Sequence, residues 1–337
     1  MPLEILSQVK QVLRNVLRKY GFEITPSSTV FDWQIDGNAL QRAEPFLPEG
    51  AREYLRADNP QLLDLQSRYQ DYDNYPYGEV FLWTPDRIKP EDILYFRGHN
   101  AYLFQEGRLN RNPFGYLLAY YYVKSLDRYH LLETLEEDNA FGAISYHFDS
   151  RDVSRDLLDS ILEIYFLDEH LGVMSNTNLT VLDIGAGYGR LAFRMAQGIP
   201  GLREYCCTDA VPESTFLSDY YLNFRGTGEK TRVIPIDRVY QEITPGTIDL
   251  AVNIHCFSEM TVPAIEWWMD LLDENRVPAI MIVPNSKKGL LTNDRVDFQP
   301  LVEDRGYRLA VRQPKYSDPV VQRYALNPDF FHLFLRD

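Results

Sequence analysis

The stretch Val181-Leu-Asp-Ile-Gly-Ala-Gly-Tyr-Gly-Arg190 constrains this chain more than any other. A run of buried-strand character passes directly into alternating glycines, and helix-forming residues follow at once. A strand that ends in a glycine-rich turn opening a helix is a unit of a parallel α/β sheet. Gly185 and Gly187 let the backbone approach a ligand where a side chain would collide, and the helix start presents N–H groups to it. Dinucleotide-binding folds space their glycines GxGxxG and rest a pyrophosphate on the helix end. Here the glycines fall at 185, 187 and 189, with Asp183 two residues before the first. A carboxylate at that point suits a cofactor carrying positive charge better than one carrying phosphates.

The rest of the chain from Ser154 repeats the unit. Ser154 can cap a helix whose apolar residues Leu157, Leu158, Ile161, Leu162 and Tyr165 share one side and which ends near Gly172. Strands are expected at Thr180–Ile184, Glu204–Thr208, Thr231–Ile236, Ile248–Ile254 and Val277–Val283, with helices at Gly189–Gln197, Pro212–Phe224 and Val262–Leu272. Two late strands with no helix between them, Tyr307–Arg312 and Phe330–Leu335, predict an antiparallel edge. Residues 151–337 therefore read as a Rossmann-like α/β domain, parallel with an antiparallel edge strand. Residues 1–150 read as a mostly helical N-terminal domain for acceptor binding or oligomerisation. Its helical periodicity covers Pro60–Tyr72, Pro113–Leu126 and Leu131–Asn139, and extended runs are expected at Glu79–Trp83 and Ile93–Phe104.

The chemistry-bearing residues follow the strand ends, because ligands of such sheets sit beyond the C-terminal edge. Asp209 ends the second strand of the α/β domain, where a carboxylate can accept both ribose hydroxyls of a nucleoside. Asp237 ends the third and can accept from an adenine amino group or cap a helix. S-adenosylmethionine carries a sulfonium, an ammonium and no phosphate, so Asp183 with the GxGxG spacing looks like the first signature of class I methyltransferases. Ala186, Ala210 and Asn253, beside these acids and glycines, complete the expected cofactor set. The fourth strand exits through Asn253-Ile-His-Cys-Phe-Ser-Glu-Met260. His255 there can take a hydroxyl proton as a methyl group arrives, a task suited to a group titrating near neutrality. Glu259 can orient His255, bind a hydroxyl or ligate a metal. Tyr146, His147 and Arg155 precede or open the first helix of the α/β domain and are candidate acceptor or cofactor-carboxylate contacts.

Composition removes several classes of function. Forty-nine acidic against 34 basic residues give a formal charge of −15, a field that repels nucleic-acid backbones and anionic membrane surfaces. No stretch reaches the roughly 18–20 apolar residues of a membrane span. Three cysteines, two of them adjacent (Cys206, Cys207), make neither a disulfide framework nor a CxxC zinc pair. Glu259, Asp294 and Asp297 are carboxylates that could hold a divalent ion, yet their spacing matches no metal motif, so none is predicted. Leu3, Leu6, Val9, Leu13, Val16 and Leu17 recur at helical spacing up to Gly21, an amphipathic helix fit for packing against its own domain or a sister subunit of a homodimer, with a membrane-surface role as the alternative. A cytoplasmic location is the expectation. The acidic run Glu133, Glu136, Glu137, Asp138 reads as a solvated helix face.

Several segments resemble a family of bacterial proteins described as sugar O-methyltransferases. They are Leu132-Glu-Thr-Leu-Glu-Glu-Asp138, Ser154-Arg-Asp-Leu-Leu-Asp-Ser160, Leu182-Asp-Ile-Gly-Ala-Gly-Tyr-Gly-Arg-Leu-Ala192 and Tyr205-Cys-Cys-Thr-Asp-Ala-Val-Pro-Glu-Ser-Thr-Phe-Leu-Ser218. Asn253–Met260, Ile265-Glu-Trp-Trp268 and Pro314–Pro328 extend the likeness, which covers most of the chain after about residue 110. Cys256 stands where a serine is expected. The resemblance implies a class I methyltransferase fold in which Gly185, Gly187 and Asp209 hold S-adenosylmethionine and His255 sits at a sugar or glycoside hydroxyl. Rival readings are a small-molecule or protein N-methyltransferase, a non-catalytic S-adenosylmethionine-binding subunit, and an NAD-dependent dehydrogenase, the last opposed by Asp183 and the glycine spacing.

Overall fold

The computed structural model describes Leu13, Val16, Leu17, Lys19, Tyr20 and residues 46–70, 90–99 and 113–337. Packing divides the chain into two compact units, 1–41 and 42–337; the expected boundary at 150/151 falls inside the second. In the first unit Leu13, Val16, Leu17 and Lys19 are helical, and Leu3, Leu6 and Val9 lie outside the described residues.

In the second unit, helix α1 (Pro60–Gln70) buries Leu62, Leu65 and Tyr69, one face at helical spacing. Helix α2 (Pro113–Leu126) follows at the expected bounds. A hairpin comes next, β1 (Ser145–Phe148) against β2 (Arg151–Ser154), turned by Asp149 and Ser150 at φ +47° and +67°. Positive φ at both central residues is the geometry a two-residue hairpin turn requires. Ser154 then caps α3 (Arg155–Leu171) by accepting from Leu157 N–H at 3.0 Å, and Gly172 ends it at φ +65°.

Seven strands form the main sheet: β3 (Leu179–Ile184), β4 (Leu202–Thr208), β5 (Thr231–Val233), β6 (Leu250–Ile254), β7 (Ala279–Val283), β8 (Tyr307–Pro314) and β9 (Phe330–Arg336). Their spatial order is β5-β4-β3-β6-β7-β9-β8. The first five pair in parallel, while β9 runs antiparallel to both β7 and β8. This is a Rossmann-like α/β sheet, parallel with an antiparallel edge, as expected from the sequence. Helices α4 (Arg190–Gly198), α5 (Pro212–Phe224) and α6 (Val262–Glu274) make the crossovers. Every residue of β3 and β7 is buried, which is why β7 reads as an unbroken apolar run and β3 does not alternate, with Thr180 and Asp183 as its only polar residues.

Three expectations for the N-terminal half change. The segment read as extended from Ile93 instead ends the helix Pro90–Leu94 and, after Tyr95, makes the 3-10 helix Phe96–His99, and 100–104, like Glu79–Trp83, lies outside the described residues. The helix expected over Leu131–Asn139 stops at Thr134. The acidic run is a solvated face only in part: Glu133 and Glu136 are exposed, whereas the Glu137 side chain is fully buried between Arg97 (2.7 Å) and Arg194 (2.9 Å). Arg97 also reaches Asp156 of α3 at 2.8 Å, and Tyr188 donates to the same carboxylate at 2.8 Å. Buried charges persist where they are paired in this way. The network joins 97, 137 and 138 to the helices that flank the glycine turn.

Candidate active site

The end of β3 is pinned before the turn begins. Gly185 and Ala186 N–H groups both donate to Thr208 O of β4, at 2.9 and 3.1 Å. Gly185, Gly187 and Gly189 then take φ of +83°, +59° and +82°, conformations that L side chains rarely adopt. At Gly185 space is lacking as well, since a Cβ there would stand 2.4 Å from Cβ and Sγ of Cys256. Gly185, Ala186 and Gly187 are partly exposed between a buried strand and a buried helix start. So are Asp209, Ala210, Ile254 and Cys256, the exits of β4 and β6. These residues form the open floor of the site.

Asp209 is held rigidly at the β4 exit. Its Oδ2 accepts from Gly187 N–H and its Oδ1 from Val211 N–H, both at 2.9 Å. Burial pushes its carboxyl up to about 7 against those two bonds, and the charges of Glu259 and Glu213 add to the rise. Asp183, at the end of β3, is buried; its Oδ2 accepts from Tyr205 OH at 2.8 Å and its Oδ1 has no hydrogen-bond partner. Burial likewise pushes Asp183 up to about 7, with Tyr205 and Arg190 opposing and Glu163 and Asp209 contributing. Asp183 and Asp209 thus crowd acidic groups at the glycine turn, and Glu213 and Glu259 are near enough to Asp209 to raise it. A bound cation would relieve that repulsion.

Other expected cofactor residues are engaged within the protein. The Asn253 amide donates to Ile184 O at 3.0 Å and accepts from Phe257 N–H at 2.9 Å, stitching the β6 exit to β3. Asp237 accepts a forked pair from Arg68 of α1, at 2.6 and 2.7 Å from Nη2 and 3.0 Å from Nε. Beside this pair a cleft of about 410 Å³ runs between α1 and α5, lined by Leu65, Arg68, Thr215, Phe216, Val233 and Pro235.

His255 leaves β6 at φ +68°, and its N–H donates to Val283 O at 2.7 Å. The carboxylate set against it is Asp329, just before β9, with Nε2 to Oδ2 at 3.6 Å. Glu259, expected as a partner for His255, accepts from Asn285 at 3.0 Å. Burial alone would raise Asp329, but His255, Lys315 and Arg155 outweigh it and hold that carboxyl well below the usual range. Arg155 is buried and pairs with Asp159 at 3.1 Å, which also accepts from Lys315. Arg155 therefore lies in the charge group beside Asp329, while Tyr146 is buried against Tyr116, ring centroids 4.7 Å apart. His147 is exposed on the hairpin and pairs with Asp152 at 3.1 Å. Asp329, Arg68 and Tyr69 were missed in the sequence; no local pattern marks them, and only the strand order brings them to the site. Among the described residues, no cluster of three or more His, Cys, Asp or Glu could hold a metal ion, and no helix is long and apolar enough to cross a membrane.

Fold and floor together define a Rossmann-like α/β sheet whose C-terminal edge carries a glycine turn and acidic side chains. No family model matches the chain. No curated protein sequence matches it either. Solved structures similar to it include a SAM-dependent methyltransferase from Aquifex aeolicus, at 17% identity and TM-score 0.40 over 53% of this chain and 93% of that one. The [4+2]-cyclase SpnF is similar at 10% identity and TM-score 0.42, over 66% and 96% of the two chains. The mitomycin 7-O-methyltransferase MmcR is similar at 18% identity and TM-score 0.36, over 54% and 57%.

Proposed function

We propose that this protein is an S-adenosylmethionine-dependent O-methyltransferase acting on a hydroxyl of a sugar or glycosylated small molecule. The observation that carries the reading is the glycine turn pinned by Asp209, with Asp183 buried at its strand end and Glu213 and Glu259 raising Asp209, which favours a nucleoside cofactor bearing positive charge. The cofactor, when bound, supplies an electrophilic methyl group on a sulfonium. Gly185 and Gly187 admit it to the backbone, Asp209 accepts from its ribose, and Asp183 offsets its charge. His255 takes the acceptor proton as the oxygen–carbon bond forms. Tyr146 and Arg155 belong to the acceptor side, which buried Tyr146 shapes from within by packing on Tyr116 while Arg155 joins the charge group beside Asp329. The described residues of the second unit up to 150 shape that side. A cytoplasmic location and pairing of two copies through the first helix belong to the same reading.

The test is mass spectrometry of nucleotide sugars, free glycosides and glycolipid fragments incubated with enzyme and S-adenosylmethionine, with and without EDTA. A gain of one methyl on a sugar hydroxyl, undiminished by EDTA, is the expected result. Transfer only to amine acceptors, or none alongside tight binding of S-adenosylhomocysteine, overturns the O-methyl reading.

A further inference from the structure

Two residues far apart in the chain are fixed to the same sheet edge by topology. Strand β9 runs antiparallel to β7 with Ile282 opposite His332, so the residues just before β9 stand beside the exit of β7. His255 is anchored on that exit through Val283 O. Asp329 is fixed on both sides: its N–H donates to Asn327 O at 2.8 Å, and its carbonyl accepts from Lys315 N–H at 2.9 Å and Gln322 Nε2 at 3.2 Å. The two side chains are 9% and 15% exposed, so water screens their pairing little. His255 keeps a left-handed backbone that costs a non-glycine residue about 1 kcal/mol or more, a cost that persists where the surroundings fix the residue.

We infer that Asp329 is the positioning residue of His255, holding the imidazole with Nε2–H toward the carboxylate and its basic lone pair, at Nδ1, toward the acceptor hydroxyl. This rests on the proposed methyl transfer. As the acceptor oxygen bonds to the methyl carbon, the carbon–sulfur bond breaks and the sulfonium becomes a neutral thioether. The hydroxyl proton passes to Nδ1, and the imidazolium is stabilised by Asp329, which stays ionised. Lys315 and Arg155 face Asp329 from beyond β8 and the start of α3, with Asp159 between them; Asp183, Asp209 and Glu259 lie on the cofactor side. The 3.6 Å separation exceeds a hydrogen bond, as is common before substrate closes a site.

The experiment compares wild type with Asp329→Asn, Asp329→Glu, His255→Gln and the double variant His255→Gln/Asp329→Asn on the acceptor that the wild type methylates. Asp329→Asn is expected to lower kcat about 10²- to 10³-fold, with acceptor KM and S-adenosylhomocysteine Kd changed less than about twofold. Asp329→Glu should recover at least about tenfold, and the double variant should be no slower than His255→Gln. Losses that multiply in the double variant overturn the inference. Imidazole nitrogen NMR of the wild type supplies an arm free of turnover and of variant folding. The Nε2–H tautomer at His255 is expected, and the Nδ1–H tautomer overturns the inference. A wild type that methylates no hydroxyl overturns the proposed function instead, and full activity of His255→Gln overturns the base; neither result moves the tautomer.

Discussion

At Gly185 a φ of +83° and the Cys256 sulfur 2.4 Å from where a Cβ would stand make two separate demands, and substitutions can part them. Gly185→Ala should displace Cys256 across the floor of the site and weaken S-adenosylhomocysteine binding well beyond tenfold. Adding Cys256→Gly removes the collision and leaves only the left-handed backbone cost of about 1–2 kcal/mol, on the order of tenfold. Calorimetric titration of both variants checks this; wild-type affinity in Gly185→Ala would mean that no ligand lies against the turn. Gly185, Gly187 and their pinning acid Asp209 were legible in the sequence because strand, turn and acid follow one another within a single βαβ unit. The partner of His255 was not. Glu259, four residues on, was the local candidate, but the pairing with Asp329 depends on β9 inserting next to β7, which no local spacing encodes.

Helix α1 shows the same divide at the scale of an element. Its existence was legible from the buried spacing Leu62, Leu65, Tyr69; its docking site was not. Gln66 donates to Glu213 of α5 at 2.6 Å, across 147 positions of chain, and Arg68 reaches Asp237 across 169. Tyr69 OH meets Thr215 Oγ1 at 2.9 Å and accepts from Ile236 N–H at 3.0 Å. One helix thus clasps the exits of β4 and β5, where the nucleoside is expected. The Arg68–Asp237 pair is more than a quarter exposed at both ends, so its loss should cost about 1 kcal/mol or less, near 2 °C in Tm. Its larger consequence is to release Asp237. Arg68→Ala is therefore expected to tighten S-adenosylhomocysteine binding about two- to fivefold, a gain abolished by Asp237→Asn. Weaker binding in Arg68→Ala would make the arginine itself the nucleoside contact. Short elements were the least legible: the run from Ile93 has strand-like composition, yet Phe96 is buried against Phe141 and Tyr188 in a helical turn. Tertiary packing decides such segments over propensity.

Across the whole molecule, the acidic floor should govern how stability depends on pH. Asp183 and Asp209 titrate near 7 when folded against 3.8 ordinarily, so the stability they contribute is full below 3.8 and is lost as pH rises through 7. Glu163, buried and also raised, acts in the same direction. His332 opposes them: burial, then Arg312, lowers it to about 4 from 6.5, so its contribution is present above 6.5 and is lost as pH falls toward 4. Asp138 and Asp159 are lowered despite burial, by Arg225 and by Lys315 and Arg155, and their contributions fail only below the ordinary carboxylate range. Between about pH 8 and pH 5.5 two or more carboxyls act against one imidazole, each changing stability by about 1.4 kcal/mol for every tenfold change in proton activity between its folded and unfolded pKa. The free protein should therefore melt a few degrees higher near pH 5.5 than near pH 8. A bound sulfonium reverses the preference, because it favours the ionised acids and releases their protons. The stabilisation by saturating S-adenosylmethionine should accordingly be larger at pH 8 than at pH 5.5, and calorimetric titration near pH 7 in buffers of different ionisation enthalpy should register proton release. A free protein that melts lower at pH 5.5, with a ligand shift independent of pH, would mean that these acids do not form the cofactor's charge partner.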